Sequence, residues 1–173
     1  MPRKGIHTLA RTAEILRQRG VKVKWVLAGT VFPAEEVLKS WPASLHAHTE
    51  VIPKFSGREE LELYRRSNLF VLPSFFEGQP LALLQAMAFG RCCITTNICG
   101  QKDVIQSGRN GLLFEPGDAS ALAALIEKAA DSLPLQVELG VDAQRTVKDR
   151  EWKSVGDEVV NFVERINSAI TRK

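Results

Sequence analysis

The chain has 173 residues, 45% hydrophobic and 25% charged, a composition suited to one soluble globular domain with a buried core. Its 23 basic and 20 acidic residues leave a formal charge of +3, too even a balance for a nucleic-acid-binding face. No stretch approaches the roughly 20 apolar residues that span a bilayer, and the opening Met1-Pro2-Arg3-Lys4-Gly5 is no signal-type apolar run. The expected compartment is the cytosol; a peripheral place at a membrane surface is left open but not indicated.

A helix is predicted over 6–19, with apolar Ile6, Leu9, Ala13 and Leu16 on one stripe and Gly20 to end it. Residues 21–29 open with strict alternation and close on an apolar run, which predicts a strand. A short helix over 34–40, a weaker strand over 46–52 and a helix over 58–65 come next, the last with Leu61 and Tyr64 on one side. The run 68–72 is apolar at four of its five positions and reads as a strand from the middle of a parallel sheet. A helix over 80–89 is apolar all round except for Gln85, which predicts that it is buried. Strands over 92–96 and 112–114 enclose a short helix over 102–106. Helices over 119–130, 135–147 and 152–170 complete the chain, with Asp118 placed to cap the first of them. The alternation of strand and helix predicts an α/β fold, a Rossmann-like parallel sheet flanked by helices on both faces. The chain opens on a helix where such a domain usually opens on a strand, so a first strand is expected to be missing.

Cys92, Cys93 and Cys99 lack zinc-type or Cys-x-x-Cys spacing and read as reduced, mostly buried thiols. Adjacent Cys92 and Cys93 would point to opposite faces of a strand. His46 and His48 would share a strand face, but no third ligand stands at diagnostic spacing, so no metal site is expected. Glu59-Glu60 and Arg65-Arg66 read as solvated helix charges.

The loop Pro73-Ser74-Phe75-Phe76-Glu77-Gly78-Gln79-Pro80 joins the apolar strand 68–72 to the apolar helix. In open α/β sheets, ligands bind beyond the carboxyl ends of the strands. Gly78 allows close backbone approach, Pro80 suits a first helical turn, and the helix-start amides favour an anion such as phosphate. Glu77 at the loop tip can accept hydrogen bonds from hydroxyls.

The loop and the apolar helix after it resemble the signature of the group one glycosyltransferases, called family four in sequence classifications. The matching positions are Pro73-Ser74-x-x-Glu77-Gly78-x-Pro80-Leu81-x-x-Leu84-Gln85-Ala86-Met87-Ala88-x-Gly90. The resemblance implies the GT-B architecture of two facing Rossmann-like domains, the carboxy-terminal one binding a nucleotide sugar. Glu77 matches the first of two motif glutamates and would contact the donor sugar's hydroxyls. Gln85 stands where the second, ribose-binding glutamate is expected; it keeps an acceptor oxygen and loses the charge. Arg3-Lys4-Gly5 is similar to the family's lysine-glycine, whose lysine contacts the donor diphosphate. Gly100-Gln101-Lys102-Asp103-Val104-Ile105 is similar to a glycine-rich loop near the sugar or phosphates, with Cys99 in place of a glycine.

From the resemblance, Glu77 and Lys4 are the expected catalytic residues, and Arg3, Lys4, Ser74, Glu77, Gly78, Gln79, Pro80, Leu81, Gln85 and Gly100 the expected donor-binding set. The implied reaction moves a glycosyl group with retention from a nucleoside diphosphate sugar to an acceptor, in glycan biosynthesis, without metal or other cofactor. Residues 1–173 are expected to form one donor-binding domain, with a terminal amphipathic helix over 151–173. The family's amino-terminal acceptor domain, its first donor-domain strand and that strand's arginine have no counterpart here. The isolated chain is therefore expected to be inactive. The alternatives are a non-catalytic nucleotide-sugar-binding or degenerate module, and a subunit that completes a split enzyme by pairing with an acceptor-domain chain.

Overall fold

The computed structural model describes residues 2–148. A 3-10 turn at Pro2–Lys4 leads into α1 (Ile6–Gln18), β1 (Trp25–Ala28), α2 (Ala34–Leu38), a second 3-10 turn (Ala43–His48), β2 (Thr49–Ile52) and α3 (Gly57–Arg66). Then come β3 (Leu69–Leu72), α4 (Leu81–Ala88), β4 (Cys92–Thr96), α5 (Cys99–Val104), β5 (Leu112–Phe114), α6 (Ala119–Ala130) and α7 (Leu133–Val147). The predicted helix over 152–170 lies outside the described residues.

The fold is α/β with parallel strands throughout. β1 pairs with β2, and β3, β4 and β5 pair in that order. Among the described residues no strand joins the two groups by hydrogen bonds. β4 lies between two neighbours and is buried at every position, whereas β3 is half-buried throughout. The expectation that the 68–72 strand sits mid-sheet is not met among the described residues: there β3 is bonded to a neighbour on one side only, and β4 is the more completely covered strand.

Helices cover both faces of β4, and its alternation shows it. Cys92 and Ile94 join a core built from α1, β1, β5 and α6. Cys93 points the other way, into a core with Tyr64, Leu83, Ala86, Met87, Val104 and Ile105. A fully buried leucine or methionine contributes roughly 1.5–3 kcal/mol relative to exposure, so these two layers carry most of the stabilisation. Trp25 and Trp41 meet edge to face at 5.4 Å within the first core, as packing residues.

Local chemistry sets several helix ends. Asp118 accepts from the Ala121 amide at 2.8 Å, capping α6 as its position suggested. Ser56 and Glu59 form a capping box on α3. Glu59 is therefore more than a solvated charge, and Arg66 makes two 2.8 Å bonds to Glu50. Gly90 follows α4 with φ 63, a conformation that excludes most side chains.

Three other readings are corrected. The strand predicted over 21–29 is confined to Trp25–Ala28, since alternation in 21–24 finds no neighbouring strand to pair with. His46 and His48 lie in a 3-10 turn, because the Thr49 hydroxyl caps back onto the Leu45 carbonyl at 2.8 Å before β2 begins. Leu61 is exposed while Tyr64 is buried, so they do not share a packed face of α3.

Candidate functional site

Three chain segments meet beyond the carboxyl end of β3: residues 3–5 before α1, the 73–80 loop, and the start of α5. The Phe75 amide donates to the Arg3 carbonyl at 2.8 Å. The Gly100 amide donates to the Glu77 carbonyl at 3.0 Å. Both glycines at these junctions are required for this closeness. Gly5 has φ 71, and a Cβ there would collide with the Pro73 carbonyl. A Cβ on Gly100 would collide with the Gly78 carbonyl.

This backbone frame brings Lys4 and Glu77 together, although they are far apart in sequence. Lys4 Nζ donates to Glu77 Oε1 at 2.6 Å. The lysine side chain is 50% exposed and the glutamate 12%, so the pair is open on the cation's side. Burial pushes the Glu77 carboxyl up, but hydrogen bonding from Lys4 and Ser74, with the charges of Lys4 and Arg3, holds it below the usual carboxylate range. The site thus offers an ionised acceptor beside an exposed ammonium. Such a pair suits a ligand carrying both hydroxyls and anionic oxygens.

The frame rests on a buried polar network that sequence reasoning passed over. The Ser74 carbonyl accepts from Thr96 Oγ1 at 2.5 Å and from Gln101 Nε2 at 3.3 Å. Gln101 Nε2 also donates to Thr96 Oγ1 at 2.9 Å. Ser74, Thr96 and Gln101 are fully buried, and Gln101 Oε1 has no protein partner. Polar residues ending a buried strand, with a glutamine in the short helix after it, were the available signal.

The other predicted positions divide. Gly78 and Gln79 are exposed, and a Cβ on Gly78 would meet only open space. Pro80 is buried and stands at the N-cap, one place before the first helical residue, Leu81. The amides of Leu83 and Leu84 donate to the Pro80 carbonyl, and that of Leu81 to Gln79. Fewer helix-start amides are therefore available to an anion than the loop sequence suggested. Leu81 is 53% exposed, and Ala82, Gln85 and Ala88 are exposed as well. The expectation of an all-round buried helix is corrected. α4 packs Leu83, Ala86 and Met87 inward, and apolar residues on its outer face have no element over them among the described residues. Gln85 is accordingly not a buried amide; its Oε1 lies 3.4 Å from the Tyr64 hydroxyl.

Strand order and helix layers define a Rossmann-like α/β domain of the GT-B fold. The chain belongs to the family of glycosyl transferases group 1, whose model matches residues 1–146. It is 28% identical to the capsular polysaccharide biosynthesis glycosyltransferase CapM of Staphylococcus aureus, over 85% of this chain and 39% of that protein. The fold is similar to that of a TarM mutant from S. aureus in complex with fondaparinux, alpha-GlcNAc-glycerol and UDP. There the TM-score is 0.81 at 23% identity, over 93% of this chain and 33% of that one. It is also similar to the C-terminal domain of a group 1 glycosyl transferase, LpcC, from Francisella tularensis. That TM-score is 0.71 at 22% identity, over 86% of this chain and 80% of that one. The chain spans about two fifths of the curated relative's length. Among the described residues no helix is long and apolar enough to cross a membrane, and no cluster of His, Cys, Asp or Glu is placed to hold a metal ion.

Proposed function

We propose that this chain is the donor-binding half of a retaining glycosyltransferase, one domain that holds a nucleoside diphosphate sugar for transfer to an acceptor bound elsewhere. The observation that carries this reading is the Lys4–Glu77 pair, held by three converging segments at the carboxyl end of the parallel strands. The donor's diphosphate would draw Lys4 away from Glu77. Lys4 would then neutralise the charge that builds on the departing nucleoside diphosphate. Glu77, freed of its partner, would accept hydrogen bonds from the sugar hydroxyls. Arg3, Ser74, Gly78, Gln79, Pro80, Leu81 and Gly100 would shape the site, and Gln85 would meet the ribose. The transfer uses no metal.

The acceptor half would come from another domain or another chain. Two features support this: the short span relative to CapM, and the likeness to a structure described as a C-terminal domain.

Calorimetric titration with UDP, GDP and ADP, free and as sugar conjugates, tests the site. Saturable binding that weakens at least tenfold in both Lys4→Ala and Glu77→Ala is the expected result, since each removes a charge-assisted contact. A folded protein that binds none of these ligands refutes a donor site in the isolated chain. A second reading, a binding module without transfer, is favoured by Gln85 in place of the family's glutamate. A large gain in nucleotide affinity in Gln85→Glu would identify a weakened ribose contact.

A further inference from the structure

Tyr64 lies against the open face of α4 that carries Gln85. It is 8% exposed; its ring stacks on Phe89 at 5.3 Å and leans on Phe70 at 6.1 Å. Packing on two sides fixes where the hydroxyl lies: 3.2 Å from the Ala82 carbonyl oxygen and 3.4 Å from Gln85 Oε1. Both neighbours are acceptors, and a phenol has one proton to give. The nearer carbonyl takes it, which leaves two oxygens facing each other at Gln85. Half a turn of the amide about its last torsion exchanges oxygen for nitrogen at the same place, since the two ends are alike in shape. Tyr64 then donates to Ala82 and accepts from the Gln85 amide N–H. Every group is satisfied, and the amide oxygen faces outward.

We propose that Tyr64 is a positioning residue that holds the Gln85 amide in this orientation, so that position 85 presents a neutral acceptor oxygen to a hydroxyl of the ligand. The identity of that ligand as a ribose rests on the donor-site reading; the orientation of the amide does not. Burial, with the charge and hydrogen bonding of nearby Glu60, raises the Tyr64 phenol well above its ordinary value and keeps its proton in place. A glutamate at 85 has no N–H to give Tyr64 and would compete with Ala82 for the phenol proton. Tyr64 and Gln85 are in this sense a matched pair.

The orientation is read from the nitrogen-15 side-chain amide spectrum of the full chain, the Gln85 pair being assigned by its absence in Gln85→Glu. Tyr64→Phe keeps both ring contacts and removes only the hydroxyl. It should shift the Gln85 amide pair and speed its exchange with water; an unmoved pair overturns the proposal, with or without a bound nucleotide. The ligand arm compares UDP, GDP and ADP with their 2′,3′-dideoxy forms. Tyr64→Phe should weaken a ribose form about three- to tenfold, the equivalent of one hydrogen bond, and leave its dideoxy form unchanged. Equal weakening of both forms would overturn the positioning role in favour of a merely structural one. Failure of every nucleotide to bind would refute the donor site, while the amide spectrum would still decide the orientation.

Discussion

β4 and α4 are neighbours in the chain, and α4, the more apolar of the two in sequence, is the less covered. All of β4 is buried, with a helix layer on each face. α4 buries Leu83, Ala86 and Met87 and leaves Leu81, Ala82, Gln85 and Ala88 open. Apolar character makes burial favourable, but the neighbours supplied by the topology decide whether it happens. Among the described residues, one part is a finished core, and the part around the candidate site is a rim with one side uncovered.

The sharpest test of that contrast compares two leucines of one helix. Leu83→Ala should cost about 3 kcal/mol, because it empties a fully buried position. Leu81→Ala should cost under about 0.5 kcal/mol, because that side chain already faces outward. Urea unfolding midpoints measure both, and equal losses would break the distinction between core and rim.

Next come two glycines of the site. Gly100→Ala drives a Cβ into the Gly78 backbone and should cost about 2 kcal/mol by overpacking. Gly78→Ala enters open space and should change stability by less than about 0.5 kcal/mol. If it weakens nucleotide binding without moving the midpoint, that space belongs to the ligand.

The smallest effect is electrostatic. Glu77 has a depressed folded pKa, so its contribution to stability is present above the ordinary value of 4.5 and lost as pH falls through the folded value. Glu77→Gln should flatten the stability profile only below pH 4.5 and leave its slope at neutral pH unchanged. The partner lysine is half exposed, so solvent screening keeps the effect small.

Much of the fold was legible because periodicity and punctuation report backbone state. Asp118, Gly90 and the apolar runs placed α6, α4, β3 and β4 within a residue or two. Loop 73–80 was legible as a candidate site because Ser74, Glu77, Gly78 and Gln79 interrupt the apolar run between β3 and α4. Three features were not legible. The exposed face of α4 depends on what does not cover it. The polar network of Ser74, Thr96 and Gln101 depends on a meeting of separate segments. β3's place at the side of its group depends on strand pairing, which an apolar run does not encode.

The side-by-side thiols of β4 make the strand its own clock. Burial pushes Cys92 up to about 11 and Cys93 higher still, so both are shielded from reagents and held as poor nucleophiles. Cys99, half-exposed at the start of α5, is the accessible thiol of the three. A thiol-specific dye should therefore label this chain in two stages. The first equivalent reports on the site loop, and the slower two are admitted only when the layers on either side of β4 part. The ratio of the two rates reads out how far the motions of the rim are decoupled from the opening of the core, with no mutation and no added probe.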